Sequence, residues 1–165
     1  MALAVLALAM LAAAGCVGFS NPEGWAGPAV TDSLLVTSTD QGELSALNAE
    51  DFSITWTFPT GREDPELDLE AIYTTPLVSG GIVYFGAYTG EVFALNLEDG
   101  REKWRFDTDD NIIAGLAISE TTVYVGTDEG LLYALDLETG LEEDNPNSPF
   151  DAGDNIWAAP LLSDS

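Results

Sequence analysis

Carboxylates are the side chains best placed to do chemistry in this chain. Its 165 residues hold 29 Asp and Glu against four Lys and Arg, with no His. Acid–base or metal chemistry would therefore have to run without an imidazole base, a His ligand or a His-centred triad. The densest cluster is Asp107-Thr108-Asp109-Asp110-Asn111. A calcium loop of the EF-hand kind needs Gly at its sixth place and a carboxylate at its twelfth, where this chain has Ile112 and Ile118. The cluster also recurs as Asp151-Ala152-Gly153-Asp154-Asn155. Asp and Asn repeated before a strand serve as a turn device, their side chains bonding the local backbone. The pair Glu142-Glu143 has nothing beside it to raise a pKa and takes no acid–base role. No nucleophile elbow, P-loop or dinucleotide fingerprint occurs. No catalytic residue, metal ligand or cofactor contact is assigned.

The elements that would position such residues form a repeat. Trp25-Ala26-Gly27-Pro28, Tyr73-Thr74-Thr75-Pro76, Ile113-Ala114-Gly115-Leu116 and Trp157-Ala158-Ala159-Pro160 share one register. Gly42, Gly90 and Gly130 follow the first three, spaced by 48 and then 40 residues. A period of this size marks an array whose units bury their faces against one another. Each unit begins with a β-branched and aromatic run (34–38, 82–86, 123–126) that suits a pleated, half-buried surface. A hairpin turn closing on Gly42, Gly90 or Gly130 comes next, because Gly reaches a positive φ without steric cost. A second run (43–48, 91–96, 131–136) leads to a second turn, ending on Gly100 or Gly140 in copies two and three. Copy one has Glu50-Asp51-Phe52 there, so a different turn geometry is expected. A third strand ends on Trp56-Thr57-Phe58 or Trp104-Arg105-Phe106; copy three reaches Phe150 without a Trp. The aromatic of the next landmark opens a fourth strand. Trp25, Tyr73 and Trp157 then read as repeat core, with the alternative that the ring-lining strand presents them to a partner.

Four short strands at a period near forty are the sequence form of a β-propeller blade. The expected fold is all-β, an incomplete propeller with repeats at about 25–58, 73–106 and 113–150 and another starting at 157. The stretches 94–104 and 134–140 carry the resemblance: this repeat is similar to the pyrroloquinoline-quinone-type propeller repeat. That family holds quinoprotein dehydrogenases and a cofactor-free propeller lipoprotein of the outer-membrane assembly machinery. The resemblance implies that Trp56 and Trp104, with Gly100 and Gly140, clamp blade to blade as structural residues. Family dehydrogenases hold the quinone between a Trp plane and a disulfide of adjacent Cys, beside a calcium-bound Glu, Asn and Asp. This chain has one Cys, so that pair is absent from it.

Residues 1–15 are apolar and uncharged, and the single Cys16 follows. The run is too short to span a bilayer. Leu11-Ala12-Ala13-Ala14-Gly15-Cys16 resembles the end of a bacterial lipoprotein signal, although no basic residue precedes it. Cys16 is thus the expected lipidation site, with signal 1–15, tether 16–23 and partial propeller 24–165. Pro160-Leu161-Leu162-Ser163 matches Pro76-Leu77-Val78-Ser79, so the chain reads as the N-terminal part of a longer product; the stop in mid-repeat argues against the rival, a complete chain whose rings form from several copies. A formal charge of −25 opposes nucleic acid and anionic lipid faces. The expectation is a non-catalytic, lipid-anchored propeller outside the cytoplasmic membrane, needing no cofactor and binding another envelope protein. The alternative is part of a quinone-dependent dehydrogenase whose site lies outside this sequence.

Overall fold

A computed structural model describes residues 26–39, 41–60 and 67–163. Among them, twelve strands form three four-stranded antiparallel sheets, each in simple up-and-down order. Blade 1 comprises β1 (Ala29–Val30), β2 (Leu34–Ser38), β3 (Leu44–Asn48) and β4 (Ile54–Phe58). Blade 2 comprises β5 (Leu77–Ser79), β6 (Ile82–Gly86), β7 (Glu91–Asn96) and β8 (Glu102–Asp107). Blade 3 comprises β9 (Ala117–Ile118), β10 (Thr122–Gly126), β11 (Leu131–Asp136) and β12 (Phe150–Asp151). Contrary to expectation, Tyr73 and Trp157 do not open a strand. Pairing starts only after the following small residues and Pro76 or Leu116, at Leu77 and Ala117.

Alternation along the central strands sends side chains to both faces of a blade, and both faces of blade 2 meet a neighbour. Between blades 1 and 2, Val36, Leu44, Ala46, Trp56 and Phe58 pack on Val83, Phe85, Phe93 and Leu95. Phe58 meets Phe85 and Phe93 edge-on, with centroids 6.1 and 5.2 Å apart. Such tilted pairs suit the ring quadrupoles and add to the area buried. Between blades 2 and 3 the same layer is Tyr84, Val92, Ala94 and Trp104 against Val123, Val125, Tyr133 and Leu135. The core therefore runs as two slabs between three sheets, the arrangement of a stacked repeat.

The runs that enter each blade come close together at small residues. The Gly27 amide donates to Thr75 Oγ1 at 3.2 Å. A Cβ on Gly115 would lie 2.9 Å from that of Ala159. Inside blade 2, Thr74 Oγ1 bonds both the amide and the carbonyl of Gly86 at 2.9 Å, substituting a side chain for one step of the β5–β6 ladder.

The expected strands are present in all three copies. One turn differs from expectation. Copy one's Asn48–Ser53 turn has the geometry of the other two rather than its own. The Phe52 amide donates to the Asn48 carbonyl at 2.9 Å, as Gly100 does to Asn96 at 2.8 Å and Gly140 to Asp136 at 2.9 Å. Phe52 reaches the necessary φ of 58° although it is not Gly. The surrounding ladder imposes the turn, and Phe52 bears the strain.

Candidate functional site

The residues that recur in the repeat converge on the blade junctions. Trp56 comes from β4 and is 7% exposed. It crosses to blade 2, where its indole N–H donates to the Leu97 carbonyl at 2.9 Å. Its ring lies on Gly100, where an added Cβ would stand 2.7 Å from Cδ2. Trp104 repeats the contact on Gly140, and its N–H donates to Leu137 at 3.2 Å. Gly100 and Gly140 both sit at φ 71°. Gly therefore serves twice at this place: it supplies the left-handed turn and leaves a flat seat for the indole.

Gly42, Gly90 and Gly130 occupy the opposite end of each hairpin, with φ of 74°, 106° and 90°. A Cβ on them would lie 2.7, 2.7 and 2.6 Å from the carbonyl oxygens of Glu70, Asp110 and Asp154. These glycines let the connection to the next blade pass directly over the turn. The Gly90 carbonyl accepts from the Thr108 amide at 3.1 Å and from Thr108 Oγ1 at 2.9 Å, tying that connection down.

The acid cluster sits on the same connections and is engaged locally. Asp107 Oδ1 accepts from the Asp109 amide at 2.9 Å, and Asp151 Oδ1 from the Gly153 amide at 2.7 Å. Asn111 Nδ2 donates to Asp128 at 3.1 Å, joining the connection to the β10–β11 turn. Among the described residues, no group of three or more His, Cys, Asp or Glu could hold a metal ion. In the second turns, Asp51 and Asp136 have lowered pKa values, chiefly because their carboxylates accept from the side chains of Ser53 and Thr139. Burial raises the phenols of Tyr84 and Tyr133, whose hydroxyls donate to the Leu137 and Thr108 carbonyls.

The landmark aromatics divide. Tyr73 is half-buried and meets Tyr88 edge-on at 5.5 Å. Trp157 is 74% exposed, so it is not core as expected: no sheet in the structure covers it. Trp25 and Cys16 lie outside the described residues. At Phe52, where a Gly was missing, sequence reasoning expected another turn and missed that a non-Gly residue takes the glycine conformation. Its signal was the turn motif shared with Gly100 and Gly140.

A quinone does not fit the described blades. Trp56 and Trp104 are seated on glycine within the core, so neither offers a free plane. Asp107, Asp136 and Asp151 accept from amides of their own turns.

Three sheets joined by tryptophan-on-glycine junctions define the class: a run of β-propeller blades. The model of the family "Outer membrane protein assembly factor BamB" matches residues 14–159, and the chain belongs to that pyrroloquinoline-quinone-type propeller family. BamB from Moraxella catarrhalis is similar at 28% identity and a TM-score of 0.55, over 71% of this chain and 34% of that one. The quinohemoprotein alcohol dehydrogenase ADHIIG from Pseudomonas putida HK5 is similar at 25% identity and a TM-score of 0.59, over 71% and 19%. The computationally designed protein Ika4 shares the fold at 16% identity, with a TM-score of 0.68, over 83% and 78%. No curated protein matches the sequence. The chain spans about a third of the BamB structure and about a fifth of the dehydrogenase.

Proposed function

We propose that this chain is a lipid-anchored, non-catalytic β-propeller of the bacterial cell envelope that acts as a protein-binding scaffold or assembly factor. One observation carries the non-catalytic part: the recurring Trp and Gly residues are used up in holding blade to blade. The match to the BamB family supports the envelope location and the protein-binding role. Lipidation at Cys16 rests on the small residues that precede it. Stable anchoring needs more than one acyl chain, so loss of the modified thiol would release the protein. Expressed in a bacterial host with a basic n-region supplied, the chain is expected to fractionate with membranes. Cys16→Ser is expected to shift it to the soluble envelope fraction, and equal membrane retention of the mutant would refute the anchor.

The second reading is a portion of a quinone-dependent dehydrogenase, favoured by the likeness to the Pseudomonas putida enzyme. Thermal melts with and without pyrroloquinoline quinone and calcium separate the two. The scaffold reading expects no ligand-dependent rise in melting temperature. A rise in the wild type that is lost in Trp104→Ala, without loss of basal stability, would replace it with the enzyme reading.

A further inference from the structure

Arg101, Lys103 and Arg105 are three of the four basic residues in a chain with 29 acids, and they stand at alternate places along one short stretch. Lys103 and Arg105 belong to β8, and all three are exposed. β8 is an edge strand, paired with β7 and with no other strand among the described residues. The entering runs meet at Gly27–Thr75 and at Gly115–Ala159, which draws the first strands of the blades together and sets β8 on the outer rim. Both faces of blade 2 are covered by described neighbours, so the exposure of this rim does not depend on what lies beyond blades 1 and 3.

The backbone of this edge is placed to pair. The Thr108 amide donates to the Gly90 carbonyl at 3.1 Å, and the alternation of an antiparallel pair then turns the polar groups of Phe106 towards β7 and those of Arg105 outwards. Arg105 lies opposite Phe93, which belongs to the slab against blade 1, whereas Trp104 and Phe106 belong to the slab against blade 3. A strand added here would set its residues alternately beside a cation and beside an apolar layer. Arg101 meets Asp99 at 3.6 Å and Arg105 meets Glu102 at 3.5 Å, largely exposed pairs weak enough for an incoming carboxylate to compete with. The outer strand of blade 1, β4, carries no charged residue, and the outer run of blade 3 carries Glu142, Glu143 and Asp144. The cations are thus particular to blade 2.

We propose that β8 accepts an extended segment of a partner protein, with acidic residues alternating with apolar ones, as a fifth and antiparallel strand of blade 2. This rests on the protein-binding reading above and gives it a surface and a partner chemistry. Charge on an edge strand also guards against pairing between copies. Two β8 strands side by side would set cation against cation, which disfavours a second copy and leaves a strand of opposite sign. The chain's charge of −25 repels extended anionic faces. A short segment meets mainly the cations within a Debye length of about 8 Å.

The test is fluorescence anisotropy with the full chain in mild detergent and a labelled synthetic peptide of about six residues, an ordinary strand length, alternating Glu with Val. Binding is expected, and it is expected to weaken as sodium chloride is raised. Lys103→Glu combined with Arg105→Glu is expected to weaken it roughly tenfold or more, with the melting temperature kept. Lys103→Gln with Arg105→Gln takes its place should that variant misfold. A peptide with Gln in place of Glu is expected to bind as poorly. N-methylation separates strand pairing from charge attraction. Methyl groups on the Glu amides, which would face Arg105, are expected to abolish binding, and methyl groups on the Val amides to leave it. No binding at about 1 mM peptide, equal binding to wild type and variant, or equal binding of the two methylated peptides would each overturn the proposal. Self-association of the wild type that the double substitution abolishes would assign the edge to a second copy and overturn it too. The scaffold reading is tested apart from this, by the Cys16→Ser fractionation and the quinone melts.

Discussion

At the residue scale, the indole and the glycine beneath it act as one unit. Trp104 is 7% exposed and fills the space over Gly140. Its hydrogen bond contributes less than its volume does, because the Leu137 carbonyl also accepts from Tyr84 at 3.3 Å. Trp104→Ala is therefore a cavity mutation and is expected to cost about 3–5 kcal/mol, measured by urea unfolding. Phe52 gives the opposite test. It holds a φ of 58° with its side chain mostly in solvent, so strain is not repaid by burial within the chain. A left-handed non-glycine residue costs about 1–3 kcal/mol, and glycine's extra unfolded-state entropy takes back about 0.5–1 kcal/mol. Phe52→Gly is expected to stabilise the chain by about 1 kcal/mol, measured by urea unfolding. A neutral or destabilising result would mean that the aromatic ring makes up for its backbone.

At the element scale, the second turn of each blade shows how one geometry tolerates different sequences. Asn48 and Asn96 accept from the amides two residues on, Glu50 and Glu98, each at 2.8 Å. In blade 3, Asp136 accepts from the Thr139 amide at 2.8 Å and the Thr139 hydroxyl at 2.7 Å. Its pKa is lowered, so the ionised form favours the folded state. That contribution is complete above the unfolded value of 3.8 and fades as pH falls through the lower folded value. Asp136→Asn keeps the acceptor oxygen and removes the titration. It is expected to melt close to wild type at pH 7 and to lose less stability on acidification below the ordinary Asp value of 3.8; melts at both pH values check this. The strands and glycine turns were legible because alternation and positive-φ glycine are local signals. The Phe52 turn was not, because neighbouring strands override a local preference. The exposure of Trp157 was not legible either: register assigns a residue to a repeat but does not supply the sheet that would cover it.

At the scale of the whole molecule, charge and packing act against each other. The two core slabs draw three sheets together, while the chain's 29 acids against four basic residues oppose compaction by mutual repulsion. Within the described blades Arg101 pairs with Asp99 at 3.6 Å and Arg105 with Glu102 at 3.5 Å, at largely exposed sites where such pairs contribute little. Repulsion is thus left mainly to solvent ions to relieve. Raising sodium chloride from about 0.1 to 1 M shortens the Debye length from about 10 to 3 Å, and the melting temperature is expected to rise by several degrees. Salt also strengthens apolar burial in general, so the charge term must be isolated. Glu50, Glu98, Glu120 and Glu138 are exposed. Replacing all four with Gln is expected to raise the melting temperature at low salt and to flatten its salt dependence. An unchanged slope would assign the salt effect to burial rather than to charge.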